Sequence, residues 1–261
     1  MQRDLGPATT FLNMQIKHDG HMILIDHCLY LEKVLEHFGM QNAKIILTPL
    51  PQGYYPSKHL GSVDPELQSH FQQVIGSPLY ITLGTRPDVA YAVAALSQHA
   101  ANPSKEHPNK ALYICWYLLA THHYSLVFDG ASQAGLRAYT DSDWVSDHND
   151  HHLQTGWFIK LANCTFSWCS RKQEHVAHSS MEAEYISLSD CSRQAKWLWQ
   201  LLGELGYNLH PIPVCGDNQG SIFMASNSVT EARSKHIDIQ WHSIRELVSD
   251  KIIELFFVKG A

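Results

Sequence analysis

Near Leu136 the apolar residues change their spacing, and no other feature limits the possible folds as much. Before it they recur at steps of three and four, the period of helices packed on one face. After it short stretches alternate, the period of half-buried strands. With 261 residues, 44% of them apolar, the chain has the material for one large domain or two small ones, each with its own core, and is too hydrophobic to be mainly disordered.

In the first part, Thr9–Ile16 and His21–Ile25 read as a hairpin turned at Asp19-Gly20. Asp26–Phe38 reads as a helix, with Asp26 as N-cap, Leu31, Val34, Leu35 and Phe38 on one face, and Gly39 at its end. Pro49, Pro51, Gly53, Pro56 and Gly61 make Thr48–Asp64 a linker or irregular loop. Three helices follow: Pro65–Leu83, one starting after Thr85 with Pro87 in its first turn, and Pro108–Thr121. His122–Gln133 reads as a break. In the second part the expected strands are Leu136–Thr140, Gly156–Leu161, Cys164–Ser170, Pro213–Gly216 and Ile252–Val258. The expected helices are Met181–Leu205, Gln219–Ala225 and Ser234–Ser249.

Charge narrows the function. The net charge is −6, with 8 basic against 10 acidic residues in 1–130 and 11 against 15 in 131–261. Neither part carries the basic stripe of a generic nucleic-acid binder, so any such contact is local or assisted by metal ions. Six cysteines without CxxC spacing read as reduced thiols of an intracellular protein, in the cytoplasm or nucleus. No secretory signal opens the chain, and no apolar run approaches the ~20 residues of a membrane span, so no membrane partner is expected.

The long helix holds the most informative carboxylate. Tyr185, Leu188, Cys191 or Ser192, Ala195, Leu198, Leu202 and Leu205 form its expected buried stripe, and Glu184 lies in phase with it. Glu182 instead lines up with Ile186, Ser189, Arg193 and Lys196, a largely polar flank. A carboxylate facing the sheet is costly unless it is paired or holds a metal; the alternative is that Glu184 only answers the helix dipole. Asp141 follows the first strand and Asp217 the fourth, each equally suited to a turn or a helix cap. If the three converge in a mixed sheet, Mg²⁺ or Mn²⁺ among them would relieve their repulsion.

Five motifs stand in order: Tyr-Thr-Asp-Ser-Asp-Trp (139–144), Thr-Phe-Ser-Trp-Cys-Ser-Arg-Lys-Gln (165–173), Ser-Ser-Met-Glu-Ala-Glu-Tyr (179–185), Asp-Asn-Gln (217–219) and Lys-His-Ile-Asp-Ile (235–239). Their order and spacing resemble the ribonuclease H domain of copia-type LTR retrotransposon polyproteins. Upstream, the stretch from Gly76 to Val93 resembles the helical connection before that domain. Asp4–Pro7, the hairpin and Thr48–Leu50 resemble the end of the family's reverse transcriptase.

The resemblance implies three parts: 1–50, the C-terminal end of a reverse transcriptase; 51–134, a linker and helical connection; and 135–261, a ribonuclease H-like domain. It implies an α/β fold with a five-stranded mixed sheet flanked by helices, its first three strands antiparallel. It assigns Asp141, Glu184 and Asp217 as catalytic and metal-binding residues for two Mg²⁺ or Mn²⁺ ions. It also implies hydrolysis of the RNA strand in an RNA–DNA hybrid. The polymerase palm, with its Tyr-X-Asp-Asp core, would belong to an upstream part of a full polyprotein. The family's fourth acid lies in a Leu-Ala-Asp motif soon after the final strand, and Val258–Ala261 closes the sequence before it. His151-His152 stand where the family usually has an Arg-Lys pair. Two functions are therefore expected to compete: a metal-dependent nuclease, and a catalytically weak or inactive fragment that keeps the fold and at most binds nucleic acid.

Overall fold

The computed structural model describes residues 6–40, 45–143, 153–173, 179–207, 210–226 and 238–259. The chain divides into two compact units: Met1–Gln133 with the turn Ala162–Cys164, and Ala134–Leu161 with Thr165–Ala261.

In the first unit, β1 (Thr10–Phe11), β2 (Met14–Asp19), β3 (Met22–Asp26) and β4 (Leu126–Asp129) form an antiparallel sheet in that order. Gly20, at φ 57°, turns β2 into β3. The expected single strand Thr9–Ile16 is two strands, because Leu12 and Asn13 take φ of 48° and 62° and form a tight turn. A leucine there gives no turn signal in a sequence. The Tyr80 hydroxyl holds the turn by donating to the Leu12 carbonyl at 2.6 Å. His122–Gln133 contains β4, which pairs Ile25 with Leu126 and Met22 with Asp129. Four residues are too few to show a period, so this strand was hidden.

The helices are α1 (Cys28–His37), α2 (Pro65–Gly84), α3 (Ala90–Ser97, after a 3₁₀ turn at Pro87–Val89) and α4 (His107–Ala120). Asp64 caps α2 by accepting from the Glu66 and Leu67 amides at 3.1 and 3.2 Å. Gly39, at φ 64°, follows the end of α1. Leu31 and Leu35 of α1, with Met40 and Leu50, pack into one core with Phe71, Ile81, Leu96, Ile114 and Leu118. Residue 50 is therefore no boundary between compact units; the hairpin-and-helix segment lays its apolar face on the helices that follow.

The second unit contains β5 (Arg137–Asp143), β6 (Gln154–Leu161), β7 (Cys164–Lys172), α5 (Ser180–Glu204), β8 (Ile212–Gly216), α6 (Gln219–Ser226), α7 (Asp238–Ser249) and β9 (Ile253–Phe257). The sheet order is β7-β6-β5-β8-β9. β5 and β6 are antiparallel, β8 runs parallel to β5, and β9 parallel to β8. Ala162 and Asn163, both at positive φ, close the β6–β7 hairpin. This is the five-stranded mixed sheet that the resemblance implies. The Ser179 hydroxyl caps α5 by accepting from the Glu182 amide at 3.1 Å. Its stripe of Tyr185, Leu188, Cys191, Ala195 and Leu198 is buried against the sheet core, with Ile159, Ile212 and Val214. His151, His152 and the expected helix start at 234–237 lie outside the described residues. The six cysteines are free thiols. Among the described residues no helix is long and apolar enough to cross a membrane.

Candidate metal centre

Three elements of the second unit deliver one carboxylate each. Asp141 lies within β5 rather than after it: the strand continues to Asp143, pairing Asp141 with Gly156 and Asp143 with Gln154. Ser142 and Asp143 are poor strand formers, and the partner strand overrides their local preference. Asp141 is nevertheless exposed, and its Oδ1 accepts from the Ser142 amide at 2.8 Å. Asp217 comes directly after β8. Parallel pairing of Ala138 with Val214 and Tyr139 with Cys215 brings the C-terminal ends of both strands to the same end of the sheet. The side-chain cap of α6 is Asn218, which accepts from the Ser221 amide at 3.0 Å, so Asp217 is not spent as a cap. Glu184 sits in the second turn of α5, past the cap at Ser179.

A ligand oxygen from each of Asp141, Glu184 and Asp217 lies within 4.8 Å of the other two. The aspartates are exposed and Glu184 is half-buried. Glu182 stands outside this cluster. The Glu184 carboxyl is raised to about 7: burial pushes it up most, the charges of Asp141 and Asp217 add to this, and the hydroxyl and amide of Ser142 pull it partly back. Three hard oxygen donors that repel one another suit a divalent cation of the Mg²⁺ or Mn²⁺ kind.

Sequence reasoning missed the groups that hold these carboxylates. Ser142 touches both Asp141 and Glu184. The Ser187 hydroxyl donates to the Asp141 carbonyl at 2.7 Å. Gln173, just past β7, reaches the first turn of α5 through a bond to the Ala183 carbonyl. Ser142 and Gln173 fall inside the quoted motifs, which was the available signal; Ser187 had none.

No family model matches the chain. It is 36% identical over 260 residues to the retrovirus-related Pol polyprotein from transposon TNT 1-94 of Nicotiana tabacum, covering 97% of this chain and 20% of that one. It is 32% identical over 249 residues to the Pol polyprotein from transposon RE2 of Arabidopsis thaliana, covering 95% and 17%. An uncharacterized mitochondrial protein of Arabidopsis thaliana is 31% identical over 196 residues, 75% of this chain and 80% of that protein. The chain belongs to the copia-type retrotransposon Pol polyproteins. It spans about a fifth of the length of the Pol polyproteins it matches.

Among solved structures, the foamy viral protease-reverse transcriptase dRH in complex with double-stranded DNA matches with a TM-score of 0.50 at 10% identity, over 95% of this chain and 38% of that one. That likeness concerns the fold alone. Ribonuclease H1 from Halobacterium salinarum matches 48% of this Pol segment and 86% of its own chain at 15% identity, but the TM-score of 0.33 is too low to carry weight. Strand order and direction identify the second unit of the Pol segment as its ribonuclease H-like domain.

Proposed function

We propose that the second unit hydrolyses the RNA strand of RNA–DNA hybrids with the help of divalent cations held by Asp141, Glu184 and Asp217. The observation that carries this is the convergence of the three carboxylates within 4.8 Å, drawn from β5, α5 and the end of β8. When bound, such ions polarise the scissile phosphate and lower the pKa of an attacking water. The protein groups do the rest. Asp141 and Asp217 present exposed oxygens at the C-terminal ends of the neighbouring strands β5 and β8, where a phosphate backbone has access. The Ser142 amide holds the Asp141 carboxylate in one rotamer. Glu184, half-buried on the helix, gives up its proton most readily when a cation occupies the cluster, which couples its charge to cation binding. The RNA strand would be recognised by its 2′-hydroxyls across the minor groove of an A-form-like hybrid.

The motif resemblance supports reading 1–50 as the end of a reverse transcriptase and 51–134 as the helical connection, with a polymerase palm supplied by an upstream part of a polyprotein.

The test is cleavage of an end-labelled RNA–DNA hybrid at low salt with Mg²⁺ or Mn²⁺, with Asp141→Asn run in parallel. Cation-dependent cleavage that the variant lacks is expected. Equal cleavage by both proteins would point to a contaminant. Hybrid binding without cleavage would favour the non-catalytic function.

A further inference from the structure

We infer that Ser187 and Gln173 are positioning residues: two hydrogen-bonded pegs on either side of Glu184 that fix the first turns of α5 against the sheet, Ser187 on the strand carrying Asp141 and Gln173 on its neighbour β6. Ser187 lies one turn past Glu184 and is fully buried. Its Oγ donates to the Asp141 carbonyl at 2.7 Å and lies 3.2 Å from the Gly156 carbonyl. That uses its single proton, so the contact of 2.7 Å with Thr140 Oγ1 must be donated by the threonine. One hydroxyl thus bonds the helix to β5 twice, through the Asp141 carbonyl and the Thr140 hydroxyl.

Gln173 supplies the second peg from the opposite side. It is buried just past the end of β7, and its amide N–H donates to the Leu153 carbonyl at 2.8 Å. Its Nε2 spends one proton on Thr155 Oγ1 and the other on the Ala183 carbonyl, both at 3.1 Å. Ala183 immediately precedes Glu184. The glutamate therefore sits between two points at which the helix is bonded to the sheet.

Apolar packing alone does not supply this precision. The stripe of Leu188, Cys191, Ala195 and Leu198 would tolerate a small slide along the sheet, because dispersion contacts have no direction. Hydrogen bonds at 183 and 187 have direction, and sites of this kind need their groups held to within about 0.5 Å. The same helix provides a control. Ser192 is buried to 1% exposure, yet its hydroxyl has no hydrogen-bond partner among the described residues.

The consequence for cation binding rests on the metal reading above; the mechanical role does not. The test uses the full chain with Ser187→Ala, Gln173→Leu and Ser192→Ala. In the metal-free protein, hydrogen exchange of the Ser180–Leu188 amides should quicken about tenfold in the first two variants, with Ala195–Glu204 unchanged and the Ser192 variant like wild type. Mn²⁺ titration followed by electron paramagnetic resonance should show about 10–100-fold weaker binding in the first two and no change in the third. Unaltered exchange in Ser187→Ala, or an equal loss in Ser192→Ala, would overturn the inference. If wild type binds no Mn²⁺, the metal reading falls, and the exchange data still decide the role of the pegs.

Discussion

The two units treat buried charge in opposite ways. In the first unit Arg86 is 3% exposed, and four of its five guanidinium N–H groups are bonded. It grips Asp88 through two bonds of 2.9 and 2.7 Å and also reaches the carbonyl and hydroxyl of Thr121. Tyr117 adds its own bond to Asp88 at 2.8 Å. Burial pushes the Asp88 carboxyl up, but the bonds and charge of Arg86 outweigh it and hold the group below its ordinary value. In the second unit three carboxylates meet, and burial, reinforced by the charges of Asp141 and Asp217, drives Glu184 up to about 7. A charge that is matched from all sides holds a fold together. One that is raised by its own neighbours holds free energy that a ligand can release.

The sharpest way to break this contrast is to neutralise one charge in each unit. Arg86→Met should destabilise the first unit by about 1–3 kcal/mol, because the buried Thr121 carbonyl loses a donor and the partly exposed Asp88 its counter-charge. Adding Asp88→Asn should restore only the part due to Asp88, read as amide protection in α3 and α4. Glu184→Gln should act in the opposite sense. It should lower hybrid cleavage by about 10²–10³-fold, while making the metal-free second unit more stable; a less stable apo-protein would show that the carboxylates do not strain one another.

Cation addition should separate the units next. Mg²⁺ at a hundred times its dissociation constant stabilises the state that binds it by about 2.7 kcal/mol, and that gain should appear in α5 and β5 but not in the first unit. The Glu184 carboxyl is raised from 4.5 in the unfolded chain to about 7, so the folded metal-free unit holds the extra proton between these values. Its stability should therefore fall as pH rises through this window, and apparent Mg²⁺ affinity should weaken as pH falls below about 7.

The smallest effect belongs to His107 in the first unit. Burial, with the neighbouring His99 and His59, lowers its pKa from 6.5 to about 4. The Ser104 amide donates to its Nδ1 at 3.0 Å, which requires the neutral ring. The unfolded chain binds this proton first, so stability is full above pH 6.5 and declines toward pH 4, by on the order of 1–3 kcal/mol. His107→Asn keeps an acceptor for Ser104 and should flatten the pH dependence of exchange in α4.

Periodicity was enough to place α5 and to choose Glu184 over Glu182, because helix phase is a local property. Asp217 was legible as the residue that follows a strand. Asp141 was found, but its strand was drawn too short, since Ser142 and Asp143 owe their conformation to β6 rather than to themselves. The turn at Leu12-Asn13 and strand β4 were illegible for the same reason: each depends on a distant partner, Tyr80 for one and β3 for the other. The peg at Ser187 belongs to this group. A small polar residue in a helix declares its role only when the strand behind it is known.

The pairing of β3 with β4 has a consequence for how the chain is made. Leu126 emerges from a ribosome about a hundred residues after Ile25, an interval of roughly 5–20 s at ordinary synthesis rates. Until then the hairpin of β2 and β3 carries an open edge whose N–H and C=O groups have no strand to meet, the kind of edge that invites association with other chains. Helices α2 to α4 leave the ribosome within that interval and can assemble from local contacts. The first unit should therefore acquire its helical core before its sheet is complete, and nascent chains stalled before Leu126 should be the ones that aggregate.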